Sequence, residues 1–97
     1  MQTPESKIKK KVRGRLRAAG AYVFSPVQMG MGMPTLDDLV CFSGKFVAIE
    51  YKAAGGKPTP RQQMTMKVIR QAGGIVVWAD SYEGIIEELN KALGLEF

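Results

Sequence analysis

The chain has no histidine and only one cysteine, Cys41, among its 97 residues. A single cysteine excludes an internal disulfide, so we expect a reducing compartment and interpret Cys41 as a buried apolar thiol. The apolar runs are only a few residues long, far short of the ~20 that a membrane-spanning helix needs. No leader with a basic start and an apolar core is visible, so we expect a soluble cytoplasmic protein that does not enter a membrane.

The positive charge of the chain is concentrated at its start. Residues 1–20 carry seven cations and one acid, Glu5, whereas residues 21–97 sum to −1 within a total of +5. A basic amphipathic segment attracts nucleic acid or an anionic membrane surface, although a solvated helix face is the simpler alternative. Residues 1–20 contain no aromatic side chain, and interfacial membrane helices normally carry some. Nucleic acid is therefore the favoured partner.

The first part of the chain predicts a helix followed by a short strand. Thr3 and Pro4 are typical of a helix start, and Gly20 of a helix end. Between them, the buried stripe consists of Ile8, Val12 and Leu16. The segment "AYVFS" then predicts a strand, and the methionine-rich "PVQMGMGMP" a loop.

The remainder predicts a hairpin, a helix, a strand and a last helix. "LDDLVCF" and "KFVAIEYK" flank a Ser-Gly turn. Thr59 and Gln62 form a capping-box pattern, and the helix that follows carries the apolar residues Met64, Val68 and Ile69. "IVVWA" is interpreted as a buried strand with Trp78 in the core, and Ser81 as the cap of a final helix with apolar residues Ile85, Ile86, Leu89 and Leu93. We predict a single domain, residues 1–97, with the order α-β-β-β-α-β-α.

The hairpin places two acids opposite each other. With a turn of two or four residues centred on Ser-Gly, paired positions sum to 87, so Glu50 faces Asp37 and Asp38 points to the other side of the sheet. Opposed carboxylates repel and require a compensating cation. Lys52, on the same strand face as Glu50, supplies one charge. A metal ion is the other candidate.

Carboxylate oxygens, without histidine or clustered cysteine, suit Mg²⁺ or Mn²⁺ better than zinc. Such ions commonly complete their shell with phosphate oxygens, which points to hydrolysis of a nucleic-acid backbone. A glutamate and a lysine two residues apart are most often just an exposed ion pair. Catalysis is favoured here by the opposed Asp37, by the inward-facing Glu5, and by Lys57 and Arg61 beside the site.

The pattern D-x(12)-E-x-K in this element order resembles the PD-(D/E)XK nuclease superfamily. More narrowly, "GMPTLDDLVCFSGKFVAIEYKAAGGKPTPRQQ" is similar to the virus-type replication-repair nuclease (VRR-NUC) family. The resemblance runs from Glu5 to about Trp78. It implies an α/β fold with a mixed sheet, a restriction-endonuclease-like core.

The resemblance also implies residue roles. It makes Lys52 the catalytic lysine and Gln62 a glutamine that abuts the site. The implied metal ligands are Glu5, Asp37, Glu50 and the backbone carbonyl of Tyr51. Leu36 stands where the family has a proline, so the motif alone leaves Asp37 and Asp38 open, while the hairpin register favours Asp37.

The implied activity is that of a metal-dependent endonuclease acting on branched DNA such as four-way junctions, in a bacterium or a phage-infected cell. The implied assembly is a homodimer, with the methionine-rich loop or the last helix as interface. We expect the following DNA contacts: Lys9, Lys10, Arg13, Arg17, Lys57 and Arg61. The alternative is a non-catalytic basic module that only binds nucleic acid.

Overall fold

The computed structural model describes residues 3–27 and 32–97 and has the predicted order of elements. The elements are α1 (Pro4–Ala18), β1 (Tyr22–Phe24), β2 (Asp38–Phe42), β3 (Lys45–Tyr51), α2 (Pro60–Gln71), β4 (Ile75–Ala79) and α3 (Tyr82–Leu93). The predicted loop methionines Met29 and Met31 lie outside the described residues. None of the described helices is both long and apolar enough to cross a membrane.

The four strands form one mixed sheet in the order β1-β2-β3-β4. The first three are antiparallel, and β4 runs parallel to β3 because α2 carries the chain back across the sheet. The helices α1 and α3 pack on one face around Val47, Ile49 and Tyr51. On the other face, α2 packs on Ala48 through Met66. The strand β3 is therefore covered on both sides.

The predicted hairpin register is confirmed. The paired residues run from Phe42 with Lys45 to Asp38 with Ile49, and each pair sums to 87. Ser43 and Gly44 both have positive φ, at 50° and 76°, as a type I′ two-residue turn requires. Because side chains alternate along a strand, this turn decides which acids share a face.

Side-chain caps start all three helices where the sequence predicts. The Oγ1 of Thr3 accepts a hydrogen bond from the Ser6 N–H at 3.1 Å, and the Oγ of Ser81 accepts one from the Gly84 N–H at 3.0 Å. At α2, Thr59 and Gln62 form both bonds of the capping box. Each cap satisfies a backbone donor that the helix itself leaves free.

One part of the sheet is uncovered, and the prediction that Cys41 is buried is wrong for that reason. The helix α2 lies over the β3–β4 side and leaves the β1–β2 side open. We call this surface the open sheet face; it consists of Tyr22, Phe24, Leu39, Cys41 and Phe46. Cys41 is consequently exposed, contrary to the prediction of a buried thiol. On α2, Met64 and Val68 are also exposed, because the helix turns Met66 inward instead.

Candidate active site

Asp37 and Glu50 meet at the end of the hairpin, on the side of the sheet that α2 covers. Asp37 lies one residue before β2, and its Oδ2 accepts a hydrogen bond from the Tyr51 N–H at 2.9 Å. Both acids line a cleft of about 400 Å³ between the start of α2 and the segment that leads into β2. The predicted juxtaposition of these carboxylates is therefore present.

Glu50 is nearly inaccessible to solvent, with 4% of its surface exposed. Burial, followed by the nearby Asp37 carboxylate, raises the pKa of Glu50 to about 7, although Lys52 acts in the opposite direction. The Nζ of Lys52 lies 3.6 Å from the Glu50 Oε2. The two acids are thus crowded enough that one proton or one cation is favoured between them.

The amide of Gln62 connects the start of α2 to Glu50. Its Oε1 accepts the Thr59 backbone N–H at 3.0 Å, and its Nε2 donates to the Glu50 Oε2 at 3.1 Å. The backbone donor fixes which end of the amide is oxygen, so the nitrogen must face Glu50. The predicted helix cap and the predicted contact with the site are made by the same side chain.

Asp38 belongs to a buried network on the opposite face of the sheet. The side chain is fully buried. Its carboxylate accepts a two-pronged interaction from the Arg13 guanidinium at 2.9–3.1 Å, and single bonds at 2.7 Å from the Ser25 and Tyr51 hydroxyls. The bond to Asp38 raises the pKa of Arg13, and burial followed by Asp38 raises the pKa of Tyr51. With its lone pairs occupied in this way, Asp38 is a structural acid, and Asp37 is the acid of the cleft.

The fold matches that of a known domain. A solved structure described as "VRR_NUC domain" aligns with a TM-score of 0.79 and 25% sequence identity, over 93% of this chain and 97% of that one. The chain has the fold of a VRR-NUC domain, and the match supports the VRR-NUC family. No family model and no curated protein matches the sequence, so the likeness rests on structure. The match supports a nuclease-type domain.

Much of the basic first helix makes contacts within the domain. The Nζ of Lys9 lies 3.7 Å from the Asp37 Oδ1, which places it at the edge of the cleft. Lys11 and Arg15 stack over the rings of Tyr82 and Phe97. Arg13, predicted as a DNA contact, is instead bound to the buried Asp38, so that prediction needs correcting. No local pattern in the sequence signals this role, because Arg13 and Asp38 are 25 residues apart.

The remaining predicted DNA contacts are dispersed around the domain. Arg17 approaches the Val23 carbonyl at 3.5 Å, and Lys10 is exposed on α1. Arg61 lines the cleft of the two acids. Lys57 was expected beside the site but lines a different groove, on the far side of α2. The structure therefore brings only Arg61 and Lys9 of the predicted DNA contacts to the acids.

The oxygen atoms of the cleft fit a hard divalent cation. The cleft offers two carboxylates, and the Tyr51 N–H points at Asp37. Since the N–H and C=O of one strand residue point to the same side, the Tyr51 carbonyl is turned toward the same acids. Among residues 3–27 and 32–97 no group of three acids or other metal ligands comes together, so Glu5 is not gathered with Asp37 and Glu50. Its role as a ligand stays a prediction.

Proposed function

We propose that this VRR-NUC domain is a Mg²⁺- or Mn²⁺-dependent endonuclease that hydrolyses phosphodiester bonds in DNA. The observation that carries the proposal is the pairing of the half-buried Asp37 with the buried Glu50, which is held by Gln62 and flanked by Lys52. Two carboxylates lie close together in a cleft, and one of them has a pKa near neutrality, so an exposed surface ion pair is a poor explanation. They are well explained as ligands of a cation that supports phosphoryl chemistry.

The cation would be held by Asp37, Glu50 and the Tyr51 carbonyl, and it would supply Lewis-acid stabilisation of negative charge on the phosphate. The chain's own groups do the rest. Gln62 holds the Glu50 Oε2 in place through its amide nitrogen. Lys52, 3.6 Å from that oxygen, is positioned to orient the attacking water or to neutralise charge that develops on the phosphate. Arg61, in the wall of the cleft, is positioned to hold the DNA backbone.

We further propose that the substrate is branched DNA, such as a four-way junction, and that the active form is a homodimer. One chain provides one cleft, and symmetric cuts on two strands need two clefts related by a two-fold axis. The apolar positions Ile85, Leu89 and Leu93 of α3 are buried within the domain, which disfavours the last helix as interface. The open sheet face, continuous through Phe46 with Val68 of α2, is the better candidate.

The decisive experiment compares cleavage of labelled four-way junctions and linear duplex, with and without Mg²⁺ or Mn²⁺. Wild type should cut in a metal-dependent way and favour the junction, and Glu50→Gln should abolish cutting. Glu96→Gln, an exposed acid near the C-terminus, is the matched control and should cut normally. Binding without any metal-dependent cleavage would make the chain a non-catalytic module. Sedimentation of the same samples gives the mass and tests the dimer, with Phe46→Glu expected to dissociate it.

A further inference from the structure

A second basic surface lies on α2, distinct from the first helix. Residues 51–79 contain five cations and no acid. They are Lys52, Lys57, Arg61, Lys67 and Arg70. The average charge of residues 21–97 conceals them, because α3 carries the balancing acids Glu83, Glu87 and Glu88. Glu87 and Glu88 line a neighbouring pocket that also contains Lys57 and Trp78.

Three of these cations surround a groove on the side of α2 that faces away from the cleft. Lys57, Lys67 and Arg70 line it, and Trp78 of β4 together with Met66 forms its apolar part. The groove encloses about 660 Å³, and no acid contributes to its lining. Within residues 3–27 and 32–97, none of the three cations takes part in an ion pair. Their charge is directed at solvent.

The groove and the cleft are joined by the first turns of α2. Arg61, Gln62 and Thr65 lie on the side of the helix that lines the cleft. Gln63, Lys67 and Arg70 lie on the opposite side, and Lys57 precedes the helix. A nucleic-acid strand that leaves the cleft across the start of α2 meets Lys57 first and then the other two cations.

We propose that this groove binds single-stranded nucleic acid adjoining the cut, with its phosphates on Lys57, Lys67 and Arg70 and a base against Trp78. This inference rests on the proposed function for the position of the strand. Trp78 is half-buried, packed against the cluster of Leu36, Ala48 and Met66 while it lines the groove. A cationic groove that contains an aromatic side chain is the arrangement by which proteins hold single strands without reading sequence. The aromatic ring favours unstacked bases, which a duplex does not offer.

The chain contains a single tryptophan, so its fluorescence reports on the groove and on the neighbouring pocket that Trp78 also lines. The experiment titrates full-length protein with a short single-stranded oligonucleotide and with a duplex of equal length, in EDTA so that nothing is cut. Emission from Trp78 is followed together with the anisotropy of a label on the DNA. We expect the single strand to quench Trp78 in parallel with binding, and the duplex to quench it much less.

The test variant is Lys67→Gln/Arg70→Gln, and the control is Lys7→Gln/Lys45→Gln, which changes the net charge equally at exposed sites away from the groove. The test variant should lose most of the quenching. It should also flatten the plot of log affinity against log salt by about 1.4, since each lost phosphate contact on a single strand removes about 0.7. The control should retain most of the quenching and of the slope. Circular dichroism melts verify that both variants fold.

Three outcomes overturn the proposal: binding without a change in Trp78 emission, equal quenching by duplex, or equal effects of the test and control variants. These readouts do not depend on cleavage. If Trp78 is quenched as expected but the protein never cuts DNA, the proposed activity is refuted and the proposed groove is supported. If the protein cuts DNA with metal but Trp78 is not quenched, the groove is refuted and the activity is supported.

Discussion

The strongest prediction from the cleft concerns the stability of the metal-free protein as a function of pH. Glu50 has its pKa raised to about 7 by burial and by Asp37, from an ordinary value of 4.5. A carboxyl group whose pKa is higher in the folded state stabilises the fold while it stays protonated. That contribution is complete below pH 4.5 and is lost as the pH rises through 7.

The size of the effect follows from the two pKa values. Each pKa unit corresponds to about 1.4 kcal/mol, so the full change is on the order of 3 kcal/mol in the free energy of unfolding. Glu50→Gln removes the titration but keeps the shape of the side chain and an oxygen that accepts from Gln62. We therefore expect Glu50→Gln to match wild type near pH 5 and to be about 2–3 kcal/mol more stable at pH 8.

Urea unfolding at pH 5, 6, 7 and 8 in EDTA measures this, with Glu96→Gln as the control for an exposed carboxylate. Added Mg²⁺ should raise the stability of wild type at pH 8, because a ligand that binds the folded state stabilises it, and should leave Glu50→Gln nearly unchanged. Equal pH dependence of wild type and Glu50→Gln would refute the crowding of the two acids. A Mg²⁺ effect of equal size on both would refute Glu50 as a ligand.

Three further predictions separate the roles of neighbouring residues. Asp38→Asn should destabilise the fold by about 3 kcal/mol in urea unfolding because it leaves Arg13 without its buried partner. Asp37→Asn should abolish cleavage without a comparable loss of stability. The reverse pattern would exchange the roles of the two aspartates. Lys52→Ala should lower the cleavage rate about 100-fold or more while DNA affinity measured in EDTA stays within about threefold, and a parallel fall of binding and cleavage would contradict a catalytic lysine. Gly74→Ala should destabilise by about 1–3 kcal/mol because its Cβ would lie 2.7 Å from the Ile69 Cγ2, while Gly14→Ala, with open space around it, should stabilise α1 by up to about 1 kcal/mol in thermal melts.

Local signals in the sequence were sufficient for the elements and for the central pair of acids. Caps and turn residues act over three or four positions, so Thr3, Thr59 and Ser81 mark their helices without knowledge of the fold. The hairpin register needs only the Ser-Gly turn and the period of two. From these rules alone, Asp37 and Asp38 can be assigned to opposite faces, as the structure confirms.

What the sequence did not reveal depends on how separate elements are placed in space. The exposure of Cys41 follows from the limited width that α2 covers, which no local pattern encodes. The partnership of Arg13 with Asp38 joins residues 25 positions apart. The groove of Lys57, Lys67 and Arg70 was hidden because charge was summed along the chain, where α3 cancels α2, and not over the surface.

The Ser43–Gly44 turn lies far from the cleft, yet it affects the proposed active site. It sets the register of the hairpin, and the register decides which of the two adjacent aspartates faces the cleft. A turn that shifted the pairing of β2 along β3 by one position would invert the two faces of β2. Asp37 would then point to Arg13, and Asp38 would point to the cleft. The amino acids of the site would be the same, but their positions would not. The proposed activity thus depends on the register of the β2–β3 hairpin. A molecule with the wrong register would lose this activity because of its geometry, although every residue of the site is present.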